Sequence, residues 1–266
     1  MVKDKKAIVF VLDDAYLTPG LVAIKDVCEN AGAKYPVYVF HGNSLGETSQ
    51  KKLRHLASKY DIDLRLKDIS REGEMFLKLD IRTHVSDIAY SKHLIGELIW
   101  EGFETAYYFD IDILVLDDLS KLFEIKPKKA MAAVNHNAEE LRQQLLDEPG
   151  PYYNTGVLAI NLIRWQTINA AEKFKSAIAE YSHRFRYHDQ DIFAVAFDDE
   201  IEEMPIEFNF MLNGRYNSYV RSTPSSDWDP LEISPAIIHF IGPTKPWSPN
   251  AGRHSHRLWR KRASLM

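Results

Sequence analysis

The sequence predicts an α/β fold, a mostly parallel sheet flanked by helices, and three observations predict it. Short β-branched apolar runs alternate along the chain with segments whose apolar residues recur at helical spacing. No fixed-period self-similarity interrupts that order, which argues against a solenoid or propeller. Asp13, Asp110, Asp112 and Asn135 fall at or near the ends of predicted strands, where the ligands of such sheets lie.

The first run, KAIVFVL at residues 6–12, stops at a pair of aspartates, and LTPGLVAIKDVCENAG then carries a helical pattern. KYPVYVFHGN reads as the second strand, SQKKLRHLASKYD as a polar-faced helix, and DLRLKDI as the third strand. SKHLIGELIW is a further predicted helix, followed by AYYFDIDILVL as one continuous strand over residues 106–116 and by MAAVNH as another short one. Beyond about residue 145 the turn-rich segments DEPGPYYNTG and STPSSDWDP read as loops. They frame the apolar stretch GVLAINLIRW, two predicted helices (AAEKFKSAIAEYSHRF and DQDIFAVAF) and a late strand, AIIHFIG. No linker is evident, so the 266 residues read as one continuous domain over residues 1–250 and a basic tail over 251–266.

Composition narrows the classes. Apolar residues make up 45% and charged residues 27%, which excludes disordered and low-complexity chains. A single cysteine, Cys28, excludes an intrachain disulfide and a cysteine-based zinc site, and points to a reducing compartment. The opening apolar run is too short for a signal peptide or a membrane span, so the expected location is cytoplasmic. Residues 253–262 hold five Lys/Arg and no acid, leaving 28 basic residues against 38 acidic ones elsewhere. An acidic body argues against nucleic acid as a partner. The basic, Trp-containing tail reads as a solvated terminal helix or as a peripheral contact with an anionic membrane at its inner face.

The chemistry concentrates in FDIDILVLDDL. If this stretch is a strand, Asp110 and Asp112 project to one side, and two converging carboxylates need a compensating cation. A hard divalent ion supplies that charge and keeps positions open for phosphate oxygens. Read alone, a D-x-D is equally a strand-end turn. In AIIHFIGPTKPW, His239 can complete a manganese shell, Gly242 allows close backbone approach to a phosphate, and Lys245 neutralises it. The alternative is a hydrogen-bonded core histidine and a surface lysine.

Seven segments together, VLDDAY, HVSDIAYSKHLIGELI, YFDIDILVLDDL, YYNTGVLAINLIRW, DQDIF, FNFMLNGRY and HFIGPTKPW, resemble in order and spacing glycosyltransferase family 8. This family of retaining nucleotide-sugar transferases includes bacterial lipooligosaccharide α-galactosyltransferases and, more distantly, glycogenin. The resemblance runs from about Ala7 to Trp247 and implies the A-type transferase fold, a Rossmann-like mixed sheet, with the catalytic domain over residues 1–250.

It also implies the site. Asp110, Asp112 and His239 match the family's ligands for Mn²⁺, with Mg²⁺ the alternative ion, and Gly242 and Lys245 match its phosphate loop. Asp13 and Tyr16 match positions that hydrogen-bond and stack on uracil, so a UDP-hexose donor and an oligosaccharide or glycolipid acceptor are expected. Val11, Ala15, Lys92, Ile111, Asn135, Asn154 and Thr155 match further donor-binding positions. Asp189 and Gln190 match the positions nearest the reacting sugar carbon, Asp189 holding hydroxyls and Gln190 turning its carbonyl dipole to the oxocarbenium-like centre. Three positions depart: Ala15 stands where the family usually has Asn, Lys92 where relatives show Arg, and Asn135 where some galactosyltransferases have Asp, which leaves the donor sugar open between galactose and glucose. The expected reaction is hexose transfer with retention by a front-face displacement. Trp228 and Trp247 could line an acceptor cleft with the loops after Asn137 and Arg215, or pack in the core. The rival readings are a metal-dependent phosphohydrolase, suggested by VFVLDDA, and a degenerate nucleotide-sugar or glycan-binding module.

Overall fold

The computed structural model describes residues 5–71, 91–136, 138–213, 218–219 and 234–264. A seven-stranded sheet is ordered β3 (Leu64–Asp68), β2 (Val37–His41), β1 (Lys6–Val11), β4 (Thr105–Phe109), β7 (Tyr153–Asn161), β6 (Met131–Asn135) and β8 (Ile201–Glu203). β7 is antiparallel to both of its neighbours, while the other adjacent pairs run parallel. The sheet is therefore mixed and mostly parallel, as expected.

β1 shows why the fold buries both faces. All six of its residues are buried. Ala7, Val9 and Val11 enter one core with β4 and β7 residues, whereas Ile8 and Phe10 enter the other with α1 (Leu17–Asn30) and α2 (Glu47–Tyr60). Truncating Phe10, fully buried, would cost about 3–5 kcal/mol.

The first core is closed by a helix over Ser91–Glu101 and by α5 (Leu162–Thr167), α6 (Ala170–Tyr181) and α7 (His188–Ala196). Trp165, Phe174, Phe193 and Phe197 form its aromatic centre, with Trp165 stacked on Phe197 at 5.2 Å. The helix Ser91–Glu101, predicted from its apolar spacing, is wound as a 3-10 helix. Two short helices, α3 (Ser120–Glu124) and α4 (Glu139–Leu146), fill the remaining connections.

A second sheet, ordered β10 (Ser218–Tyr219), β9 (Phe210–Asn213), β11 (Ile237–Ile241) and β5 (Ile113–Val115), was not resolved from the sequence pattern. The structure corrects two expectations. The apolar run 106–116 is two strands in two sheets, with a bend at residues 110–112, since chain continuity and hydrophobicity do not reveal where a strand changes partner. The turn-rich DEPGPYYNTG stretch is a loop only at its start, and from Tyr153 it enters β7, a nine-residue strand.

The basic C-terminal segment forms α8 (Arg253–Ala263), which is fixed to the body. Leu258, Trp259 and Ala263 pack on Leu114, Ile238 and Phe240 of the second sheet, and Arg262 donates to the Val115 carbonyl at 2.9 Å. Trp228, the loop after Arg215, Asn137 and residues 84–90 of the HVSDIAY motif lie outside the described residues.

Candidate active site

The D-x-D turn is stretched between the two sheets and pinned at both ends. Asp110 N–H donates to the Gly156 carbonyl of β7 at 2.7 Å, and Phe240 N–H of β11 donates to the Asp112 carbonyl at 2.9 Å. Outside a regular strand, these two hydrogen bonds bring the carboxylates together. His239, in the middle of β11, completes the group: its Nε2 lies 3.3 Å from Asp112 Oδ1 and 3.7 Å from Asp110 Oδ2.

The three residues present ligand atoms all within 4.8 Å of one another. Two carboxylate oxygens and an imidazole nitrogen suit Mn²⁺ or Mg²⁺, and the spacing is near the edge of an octahedron with bonds of ~2.1 Å, roughly 3 Å. His239 is 4% exposed and sits directly over Gly156, where an added Cβ would lie 2.2 Å from the ring. The residues present thus fit a divalent ion.

Lys245 does not project freely toward solvent. Its ammonium donates to Asp112 Oδ2 at 2.6 Å and to the Phe240 carbonyl at 2.9 Å, closing the 242–245 turn onto the Asp110–Asp112–His239 group. Gly242 opens that turn with φ +82°, a left-handed conformation that favours glycine. Burial alone would raise the Asp112 carboxyl, but His239 and Lys245 outweigh it and hold it below the usual carboxylate range.

Behind Asp110 lies a second cation. Lys92, 4% exposed, places Nζ 3.3 Å from Asp110 Oδ1 and 2.5 Å from Asp189 Oδ2, and donates to the Thr155 carbonyl at 3.0 Å. The ammonium lies 4.4 Å from the Tyr108 ring centre, and the Tyr108 hydroxyl donates to Asp110 Oδ1 at 2.6 Å. Burial disfavours the charged lysine, yet Asp110 and Asp189 more than compensate and raise its pKa.

Because β7 runs against its neighbours, its amino end lies at the carboxyl ends of β4 and β6. Asn154 and Thr155 therefore reach the end of the sheet at which Asp110 follows β4 and Asn135 ends β6. Thr155 Oγ1 donates to Asp189 Oδ2 at 2.9 Å, and Asn154 Nδ2 donates to Gln190 Oε1 at 3.1 Å. Three consecutive residues of the DQD motif have separate partners. Asp191 accepts the Tyr152 hydroxyl and the backbone N–H groups of Arg186 and Tyr187, fixing the start of α7.

At the carboxyl end of β1, Asp13 accepts the Tyr16 N–H at 3.0 Å, and Asp14 accepts the Gly46 N–H at 3.1 Å. Tyr16 is exposed and meets Trp247 edge to face at 6.2 Å, and Trp247 leans on Trp259 of α8 at 5.5 Å. One aromatic row links the acidic loop, the lysine loop and the terminal helix.

Residues 7–251 match the family described as Glycosyl transferase family 8. The chain belongs to this family. Among solved structures, the galactosyltransferase LgtC in complex with donor and acceptor sugar analogues superimposes with a TM-score of 0.77 at 26% identity, covering 98% of this chain and 96% of that one. General stress protein A of Bacillus subtilis (strain 168) is 27% identical over 83% of this chain and 79% of its own length. Lipopolysaccharide 1,2-glucosyltransferase of Escherichia coli (strain K12) is 28% identical over 59% of this chain and 48% of its own. Glycosyltransferase GlyB of Streptococcus pneumoniae serotype 4 is 27% identical, and the chain spans 60% of its length. As a member of family 8, the protein is a glycosyltransferase. Among the described residues, no helix is long and apolar enough to cross a membrane.

In this family 8 chain the geometry brings Asp110, Asp112, His239, Lys92, Asn154, Thr155, Asp189, Gln190 and Lys245 into one connected cluster. Asn135 ends β6, paired in register with Tyr153. Val11 and Ile111 turn their side chains into the cores, so any ligand contact would fall to their backbone. Four further residues of the cluster are not among the sequence-predicted site residues: Tyr108, His136, Asp191 and Asn209. Tyr108, Asp191 and Asn209 lie inside the strings YFDIDILVLDDL, DQDIF and FNFMLNGRY, which are the signal that points to them, whereas His136 carries no spacing signal of its own.

Proposed function

We propose that the chain is a Mn²⁺-dependent retaining hexosyltransferase that moves galactose or glucose from a UDP-sugar to a hydroxyl of an oligosaccharide or glycolipid acceptor in lipopolysaccharide or surface-glycan synthesis. The observation that carries this reading is the convergence of Asp110, Asp112 and His239 beside Asp189, Gln190 and Asn154. The three metal ligands would hold the ion, which supplies Lewis-acid neutralisation of the leaving diphosphate. LgtC, bound to donor and acceptor sugar analogues, supports the assignment of both substrate classes.

Each residue then has a task. Tyr16 offers its exposed face to uracil and Asp13 its free oxygen to the base edge, with Val11, Ala15 and Ile111 contributing backbone contacts. Gly242 and Lys245 close on the diphosphate, where Lys245 offsets the charge that grows as the sugar departs. Asn135, Asn154, Thr155 and Asp189 face the sugar hydroxyls, and Gln190 lies nearest the anomeric carbon. Asp189 is engaged by Lys92 and Thr155, which lowers its nucleophilicity and favours front-face attack by the acceptor over a covalent glycosyl-enzyme. A stable glycosyl adduct on Asp189, seen by intact-protein mass spectrometry with donor alone, would overturn the front-face route.

The outer face of α8 exposes Arg257, Arg260 and Lys261. This supports a cytoplasmic enzyme resting peripherally on an anionic inner membrane face. Deleting the helix would strip an apolar cover from the second sheet, so charge reversal of these three residues is the cleaner test. An unchanged membrane-bound fraction would remove the proposal.

The deciding experiment is donor cleavage and binding across a panel of nucleotide sugars, with and without Mn²⁺. Mn²⁺-dependent cleavage of one UDP-hexose is the expected result, and its absence with every donor would overturn the reading.

A further inference from the structure

Five side chains from β11 to β6 form one hydrogen-bonded line with a single sense. Its anchor is the Gly156 N–H, a group that can only donate, and its acceptor is Asn154 Oδ1 at 2.9 Å. This fixes the Asn154 amide, so Nδ2 is the atom that faces Gln190 Oε1. Gln190 in turn directs Nε2 to His136 Nδ1 at 3.1 Å. On the other side, Asn209 reaches the same Asn154 oxygen with Nδ2 at 2.8 Å. Turning Asn209 over would set two carbonyl oxygens against each other.

Asn209 must then present Oδ1 to His239 Nδ1, 2.9 Å away. An acceptor faces that nitrogen, so His239 carries its proton on Nδ1. Nε2 is then the ring nitrogen left for a metal ion, and it is the atom that faces Asp110 and Asp112. Asn209 is fully buried, where an amide is tolerated only when its groups are paired. Its two side-chain bonds go to the metal-site histidine and to the residue that orients Gln190.

We propose that Asn209 is the positioning residue that selects the metal-binding tautomer of His239 and ties it, through Asn154, to Gln190. The inference rests on the metal-site reading above and extends it to a residue that touches neither metal nor sugar. One backbone N–H sets the sense of the line, and Asn209 carries that sense to the ligand nitrogen.

The test uses the full chain, ¹⁵N-labelled and metal-free, in wild-type, Asn209→Leu and Asn209→Asp forms. Long-range ¹H–¹⁵N imidazole spectra report the His239 tautomer, and titration with Mn²⁺ alone, followed by electron paramagnetic resonance of the free ion, reports affinity. Wild type is expected to carry a proton on Nδ1. Asn209→Leu, which has no acceptor, is expected to shift His239 toward the Nε2-protonated form and to weaken Mn²⁺ binding roughly 10–100-fold. Asn209→Asp retains the acceptor for Nδ1 but sets its second oxygen against Asn154 Oδ1, so His239 should keep its Nδ1 proton while the tie to Asn154 is lost. A wild-type His239 protonated on Nε2 alone, a Leu variant with wild-type affinity, or an Asp variant whose His239 loses the Nδ1 proton would each overturn the proposal. If wild type binds no Mn²⁺ while His239 is Nδ1-protonated, the metal reading fails, and the tautomer shift in the Leu variant still decides the role of Asn209.

Discussion

Lys92 and Asp189 form a buried ion pair, Nζ to Oδ2 at 2.5 Å, although they come from a 3-10 helix and an α-helix on separate segments of the chain. The same ammonium lies 3.3 Å from Asp110. A single lysine therefore separates two carboxylates, one proposed to hold the sugar and the other proposed to hold the metal, in surroundings that leave its own side chain 5% exposed.

Removing that cation leaves two carboxylates facing each other with little solvent. Lys92→Met should lower stability by about 3–5 kcal/mol, the usual cost of breaking a buried pair from one side. Urea unfolding at pH 7 measures the loss. Combining it with Asp189→Asn should recover part of the loss, because the orphaned charge is then gone, and purely additive effects would contradict the coupling.

Asp112 serves both His239 and Lys245. Asp112→Asn should keep the fold and reduce Mn²⁺-dependent donor cleavage by about 100-fold or more, through loss of an anionic ligand and of the charge that holds Lys245. Steady-state rates over a Mn²⁺ series check this, with circular dichroism as the control for folding.

Gly156 leaves the space that the His239 ring occupies, since a Cβ there would lie 2.2 Å from the ring. Gly156→Ala should displace the imidazole and cost about 1–3 kcal/mol of stability through overpacking. Mn²⁺ affinity should fall with it. Retained affinity in a thermal-shift titration with Mn²⁺ would show that the ring can move without leaving the site.

Away from the site, Asp26 of α1 is 1% exposed; Lys25 Nζ lies 3.8 Å from its Oδ1, and its Oδ2, 3.9 Å from Arg262 Nε, has no hydrogen-bond partner among the described residues. Burial outweighs both cations and pushes its carboxyl up from 3.8 to about 6. Between those pH values the folded chain holds a proton that the unfolded chain has lost. This group's contribution to stability therefore falls as pH rises from about 4 to about 6, by roughly 2–3 kcal/mol, and is level above that. Asp26→Asn should flatten the dependence and raise the melting temperature at pH 7–8, as checked by thermal melts across the pH range.

Cys28 of the same helix is shielded in a related way. Burial pushes its thiol up to about 12, so it should resist alkylation by iodoacetamide at pH 8 in the native state and react on unfolding. Mass spectrometry of the two states distinguishes them.

The alternation of strands and helices, the acidic strand ends and the residue types of the Asp110–Asp112–His239 group are legible in the sequence alone. Periodicity and side-chain chemistry are local properties, and both are written in the order of the residues. Seven motifs in sequence carried the family in the same way, each a short string whose chemistry needs no partner to be read. Only the tertiary structure decided that the 106–116 run divides between two sheets, that β7 runs backward and brings Asn154 and Thr155 to the site, and that Lys245 closes on Asp112 across 133 positions of chain. It also decided the partners of Lys92 and the place of Asn209, 30 positions from the histidine it faces. The physical reason is that sheet order and strand direction are set by how whole faces bury against one another. A buried polar side chain acquires its meaning from the one neighbour that such packing places within hydrogen-bonding reach.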